Sequence, residues 1–294
     1  MEFIHALETI PALLYATAGF VGLCVGSFLN VVIYRLPRMM EAQWRAECAA
    51  LAAEAGGPAA EAPAAEPFNL LRPASRCQSC GTAIKPWHNV PVAGWLWLRG
   101  RCAACRAPIS ARYPAIEAAA GLLAVLMAWR FGASGAAMAA MVFAWALLAL
   151  TFIDLDTQLL PDDITLPLLW LGLIANSLGA FTDLRSAVFG AIAGYMLLWL
   201  VYWGFRLLAG KEGMGYGDFK LLAALGAWTG WQVLPFIVLV SAGTGAVIGG
   251  LLLWRSRSGA DTRIPFGPYL ALGGLAGLIW GRSAVLAWIG HFPA

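Results

Sequence analysis

From residue 113 to the end, the chain is almost continuously apolar, broken only at short polar points such as DLDTQLLPDD (154–163) and KEGMGYGD (211–218). That run admits few folds. A helix needs about 20 predominantly apolar residues to cross the hydrocarbon core of a bilayer. In lipid, every backbone amide must find its partner inside the spanning structure, which leaves helices or a closed barrel. A barrel would show segments of about ten residues with alternating polarity, and this sequence does not. Apolar stretches near 11–34, 114–132, 136–153, 164–182, 185–208, 218–230, 232–254 and 266–290 give eight expected spans, the one at 218–230 short.

Composition agrees. Hydrophobic residues make up 61% of the 294 and charged ones 12%, against about 45–50% and about 25% in soluble domains. Too little polar surface remains for a water-soluble globule. A net charge of +3 gives a nucleic-acid partner no support; the partner implied is the lipid bilayer. The N-terminal MEFIHALETIPALLY lacks the basic region and cleavage site of a removable signal, so a retained first span is expected. The fold class is therefore an all-α polytopic membrane protein of about eight transmembrane helices, with a small cytoplasmic domain inserted after the first. Its expected divisions are 1–34 (N-terminal segment and first helix), 35–112 (inserted domain) and 113–294 (a seven-helix bundle). Within the insertion, 41–66 reads as a short Ala/Glu-rich helix followed by an Ala/Pro linker.

Basic residues orient the bundle. With 35–112 inside, sixteen of the nineteen Lys and Arg fall on the cytoplasmic side, and only Arg130, Arg185 and Arg282 fall outside. Both DLDTQLLPDD and GYGD then face the cytoplasm, and both termini face outward.

The insertion carries SRCQSC (75–80) and GRCAAC (100–105), two CxxC pairs separated by twenty-one residues. This is close to zinc-ribbon spacing, with each turn aiming two thiolates at one ion and the intervening segment folding back as a hairpin. A reducing cytoplasm favours metal over disulfide. Four sulfur ligands leave no open position for catalytic water, so Cys77, Cys80, Cys102 and Cys105 are expected to hold a structural zinc. Cys24 and Cys48 read as small packing residues.

Acids near a bilayer are costly and usually functional. Asp183 and Asp261 look like ordinary loop charges, and Asp162 and Asp163 suit the start of a helix. Asp154 directly follows the apolar ALLALTFI, at a helix end that disfavours negative charge. Asp218 opens the next short span after three glycines, on the same membrane face. Two such carboxylates would share one proton and could activate water against an amide carbonyl. Ion or proton translocation by the same acids competes with that reading. The bundle has no internal histidine, since His5 and His291 are terminal and His88 lies in the insertion. That excludes a Ser–His dyad in the membrane and an HExxH metal site.

With these residues in hand, the chain strongly resembles the prepilin peptidase family, the aspartic leader peptidases of bacterial type IV pili and type II secretion. The resemblance covers nearly the whole chain: GSFLNVVIYRLP (26–37), the cysteine pairs, ISARYPAIE (109–117), FIDLDTQLLPDDITLPLLWLGL (152–173) and GMGYGDFKLLAALGAWTGW (213–231). It implies that Asp154 and Asp218 are the catalytic pair, in an enzyme of the bacterial inner membrane. It implies cleavage of a basic leader from prepilins or pseudopilins, after a glycine at the cytoplasmic face. It also implies N-methylation of the new N-terminal residue from S-adenosylmethionine, whose binding residues are unknown; no glycine-rich nucleotide loop is visible. Gln78 and Arg106 depart from the family's common proline and glycine in the two cysteine pairs. Asp156, two positions after Asp154, would be turned elsewhere by a helix. Two other readings stand beside this one: a cation-coupled transporter, and a zinc-stabilised assembly scaffold.

Overall fold

The computed structural model describes residues 2–55, 68–210, 214–255 and 265–289. The linker expected at 56–66, together with Lys211, Glu212, Gly213, Arg257, Asp261, Arg263 and His291, lies outside the described residues. Among the described residues there are helices and two isolated β-bridges but no strand. The chain divides into two compact units, 1–129 and 130–294.

The N-terminal unit holds α1 (Glu2–Thr9), α2 (Pro11–Glu54), a 3-10 turn (Pro86–Asn89), α3 (Ala93–Trp97) and most of α4 (Arg112–Phe131). Proline at the first helical turn starts α2. The helix does not stop near Tyr34 but continues through Pro37 to Glu54, so the expected span and the expected Ala/Glu-rich helix are one element. The Ala, Glu and Arg residues of 41–54 are strong helix formers and carry it onward. α2 meets α4 through GLCVG (22–26). A Cβ on Gly22 would lie 2.8 Å from Gly121 Cα, and one on Gly26 would lie 2.6 Å from Glu117 Cα. This is the small-xxx-small contact by which membrane helices approach closely. Cys24 and Cys48 are exposed on α2.

The second unit holds α5 (Gly135–Thr157), α6 (Asp162–Ser177), α7 (Leu184–Ala209), α8 (Tyr216–Thr229), α9 (Leu234–Arg255), α10 (Gly267–Ala276) and α11 (Arg282–Ile289). A π-helical stretch, Gly277–Gly281, joins the last two. Each of the eight expected apolar stretches contains a helix, although that at 164–182 leaves its helix after Ser177 for the turn into α7. Among the described residues, six helices are long and apolar enough to cross a membrane, so this is a multi-pass membrane protein. α6 and α8, with 16 and 14 residues, reach about 24 and 21 Å at the helical rise, short of the hydrocarbon thickness of about 30 Å.

Beyond Lys220, α8 is apolar almost all round, and it is buried at every residue from Asp218 to Thr229 except Lys220. α7 lies against it with no side chain between: a Cβ on Gly190 would strike the Gly226 carbonyl, and one on Gly226 the Gly190 carbonyl. At the far end of α8, Trp228 is 1% exposed and donates its indole N–H to Leu168 O at 2.8 Å. Beside it, buried Asn176 donates to the carbonyls of Ala227 and Trp228 and accepts from the amides of Phe181 and Thr182. One amide side chain thus satisfies the end of α8 and the turn into α7. Asp183, read as a loop charge, caps α7 by accepting from Ser186 N at 2.8 Å.

Candidate active site

α5 ends one turn beyond Asp154, where Gln158 adopts a left-handed conformation (φ 55°) and its amide donates to Asp154 O. Asp154 therefore sits on the last turn, as its position after an apolar run predicts, and it is 5% exposed. A helix C-terminus disfavours a carboxylate. The structure offsets this from another element: Gly267 N, the first amide of α10, donates to Asp154 Oδ2 at 2.9 Å. Asp156 is exposed, on a different face of the same helix.

Asp218 lies in the first turn of α8, where the helix dipole favours its charge, and is 8% exposed. Its carboxylate and that of Asp154 are close enough to interact electrostatically. Two buried acids from α5 and α8, separated in sequence by all of α6 and α7, thus converge. Each has a helix N-terminus beside it: that of α10 for Asp154, that of its own helix for Asp218.

Leu160, in the turn from α5 to α6, fills the space between these elements. A Cβ on Gly217 would lie 2.8 Å from Leu160 Cβ, and a Cβ on Gly267 would lie 3.2 Å from Leu160 Cδ2. The glycine just before Asp218 thus makes room for a leucine of the LLPD turn, which locks the two acidic motifs together. Gly215 has an ordinary φ of −84° at the N-cap. Asp162 and Asp163 occupy the first turn of α6 as expected. Asp162 also takes a two-pronged contact from Lys220 Nζ, at 2.8 and 2.6 Å, tying α6 to α8 beside Asp218. Gly267 and Lys220 escaped the sequence reading. The signal for Gly267 was present in IPFGPY: a glycine before proline at the start of an apolar run exposes a free helix amide.

In the N-terminal unit the four cysteines of the two CxxC pairs come together. One ligand atom from each lies within 4.8 Å of the others, and Cys77 Sγ is 3.8 Å from Cys105 Sγ. A tetrahedral ion with bonds of about 2.3 Å to sulfur sets its ligands about 3.8 Å apart, so this donor set fits such an ion. Each pair is its own small turn: Cys77 N donates to Thr82 O and Cys102 N to Ala107 O, beside the bridges Arg76–Ala83 and Arg101–Pro108. The segment between the pairs returns through the 3-10 turn and α3, not as the expected hairpin. PWHNVPVAGWLW has the prolines and bulky aromatics of a packed turn, not the alternation of paired strands. Hydrogen bonds from the Thr82 side chain and backbone draw the Cys80 thiol down from 9.0 to about 6. Backbone amides of Cys105 and Ala104 move Cys102 the same way. Cys80 and Cys102 are thus drawn toward thiolate, the form that binds metal. Cys105 moves the other way, to about 11, because the lowering by the Ala107 amide is outweighed by its contacts with Cys80 and Cys102 and by its burial.

Two more residues of this unit were not assigned from sequence. Arg35, 8% exposed, donates to the carbonyls of Asn69 and Pro73 at 2.8 and 2.7 Å, fastening α2 to the segment that leads into the first cysteine pair. Glu117, also 8% exposed, accepts from Val92 N at 2.7 Å.

Comparison with known proteins adds to this geometry. The family model described as Bacterial Peptidase A24 N-terminal domain matches residues 20–131, and that described as Type IV leader peptidase family matches 141–250. A Stutzerimonas stutzeri protein named Prepilin leader peptidase/N-methyltransferase is 50% identical over 289 residues, covering 98% of this chain and 98% of its own. Proteins of the same name from Aeromonas hydrophila and Pseudomonas aeruginosa are 50% identical over 99% and 98% of this chain, and over 98% of each relative. No solved structure matches the chain. Neither family model describes a transporter, so coupled transport by the same aspartates gains no support.

Proposed function

The chain belongs to the type IV leader peptidase family, and from that premise we propose that it is an aspartic endopeptidase that removes the leader from prepilins or pseudopilins. The observation that carries this reading is the convergence of Asp154 and Asp218, two buried carboxylates at the ends of apolar helices, within electrostatic reach. In the proposed reaction the pair carries one proton. The ionised member takes a proton from water as its oxygen attacks the scissile carbonyl carbon. The protonated member gives its proton to the amide nitrogen as the C–N bond breaks. The products are a leader ending in a carboxylate and a pilin with a free N-terminal amine. The Gly267 amide holds Asp154 in place for this exchange, and Leu160 excludes water from one side.

The relatives' names add a second activity, N-methylation of the exposed amine, with S-adenosylmethionine as donor. For the cysteine cluster the proposed ion is zinc, in a structural role, held by Cys77, Cys80, Cys102 and Cys105. The basic residues of 35–112, together with Arg206, Lys211, Lys220, Arg255, Arg257 and Arg263, favour the cytoplasmic face of the bacterial inner membrane for the cluster and, by the alternation of spans, for the aspartates. The substrate's apolar segment would lie beside the bundle as a helix, with its basic leader in the cytoplasm. Incubation with a prepilin, with and without S-adenosylmethionine, tests both activities by product mass. Loss of the leader supports the peptidase reading, and a further methyl mass only with the donor supports the second. An unchanged prepilin would overturn the proposal.

A further inference from the structure

The N-terminal unit contains a cavity of about 870 Å³, bounded by α2, α4 and the two cysteine turns. Its size lies in the range of about 300–1,000 Å³ typical of cofactor sites. Every residue that lines it belongs to the same unit, and none is an aspartate of the proposed peptidase pair.

Its one acidic lining residue is Glu117. A buried carboxylate on a membrane-type helix is expensive unless it is paired. Gly26 makes room for α4 at this point, since a Cβ there would meet the Glu117 backbone. The partners of the carboxylate are neutral: the Val92 amide and the Ser27 side chain. They orient it without cancelling its charge. A carboxylate has about four acceptor positions, so capacity remains for a cation entering the cavity.

The rest of the lining suits a cation joined to a planar ring. Tyr34, Trp95 and Tyr113 supply aromatic surface, which attracts sulfonium and ammonium groups and stacks on heteroaromatic bases. Trp95 is fixed by its indole N–H donating to Ile109 O at 3.1 Å. Arg76 and Lys85, also in the lining, are suited to a ligand carboxylate. A positively charged centre, an aromatic base and an amino-acid carboxylate occur together in S-adenosylmethionine.

We propose that this cavity is the S-adenosylmethionine site of the protein and that the Glu117 carboxylate recognises the ligand's positive charge. The inference rests on the N-methyltransferase reading above. It also accounts for the missing glycine-rich nucleotide loop: the site is built from two membrane helices and the cysteine turns instead.

The test compares equilibrium binding of S-adenosylmethionine and S-adenosylhomocysteine to purified full-length protein. The second ligand has the same parts but no sulfonium charge. Glu117→Gln keeps the side chain's size and its acceptor for Val92 N–H. It is expected to weaken the charged ligand about tenfold or more and the neutral one less than threefold. Equal weakening of both, or of neither, would overturn the role of Glu117. Photolabelling of the wild-type protein with S-adenosylmethionine locates the site without any variant. Label on peptides containing 27–35 or 113–117 supports the proposal. Label confined to 130–294 would overturn the cavity assignment while leaving the methyltransferase reading intact. Absence of saturable binding to the wild type would overturn both.

Discussion

The Gly267 amide donates to Asp154 Oδ2 at 2.9 Å across 113 residues of sequence. Asp154 needs this contact because its own helix ends beside it and presents carbonyls, the wrong pole for a carboxylate. The start of α10 supplies the opposite pole. Glycine is required there for space as well: a Cβ on Gly267 would lie 2.6 Å from Asp154 Oδ2.

Gly267→Ala is therefore expected to displace the carboxylate while leaving the bundle folded. A shift of about 1 Å at a reacting group can lower the rate about 100-fold, so a fall in kcat/KM for leader cleavage of about 10- to 100-fold is expected. Steady-state cleavage of a prepilin by purified variant, beside its melting curve, measures this. Wild-type cleavage by a folded Gly267→Ala protein would show that the contact does not position the acid.

Asp154→Asn and Asp218→Asn each replace a group that must gain or lose a proton in the proposed reaction. Positioned acid–base groups contribute about 10²- to 10⁴-fold, and each single variant is expected to lose at least that much. The double variant should be little slower than either single one, because the pair acts as a unit. Membrane insertion and melting temperature should stay near wild type. A variant that processes prepilin at the normal rate would remove that residue from the mechanism.

The parts of the site legible in sequence were those whose chemistry contradicts their surroundings. Asp154 and Asp218 stood out as charges at the ends of apolar runs, and the four cysteines as two CxxC pairs at metal-ligand spacing. What stayed hidden depends on contacts between distant segments. Gly267 looks like any glycine before a proline until α10 is placed against α5, and Gly217 meets Leu160 only after α8 packs beside the turn at 158–161. Asp183 resembled a free loop charge because capping is a matter of backbone geometry, which residue type alone does not distinguish. The length of α2 was missed for a related reason: a change from apolar to charged residues marks where lipid ends, not where a helix does.

Asn176 is 2% exposed, and its amide group serves four backbone partners at the ends of α6 and α8. Asn176→Ala would leave the amides of Phe181 and Thr182 without their acceptor. Each buried group so orphaned costs about 1–3 kcal/mol, so a clear fall in melting temperature is expected. The substituted side chain lies at the opposite end of α8 from Asp218, so cleavage per folded molecule should change little. Thermal unfolding followed alongside activity separates the two effects, and an unchanged melting temperature would refute the accounting.

The two cysteine turns differ at one informative position. The first places Gly81 at φ 70°, and the second places Arg106 at φ 61°, each in the left-handed region. Glycine adopts that conformation freely, whereas a residue with a Cβ does so at a cost of about 1–2 kcal/mol. Arg106→Gly should relax the second turn, provided the looser unfolded chain does not consume the gain. A net gain of about 1 kcal/mol would tighten zinc about fivefold. Cys105→Ser, which removes one of the four sulfur donors, should shift affinity the other way and lower the zinc content well below one ion per chain. Competition with a chromogenic chelator on freshly purified, reduced protein gives both values. If wild-type protein carried less than one zinc per two chains, the ion would not be the natural occupant of this cluster. If zinc bound but Arg106→Gly left its affinity unchanged or weaker, the left-handed turn would not be what limits it.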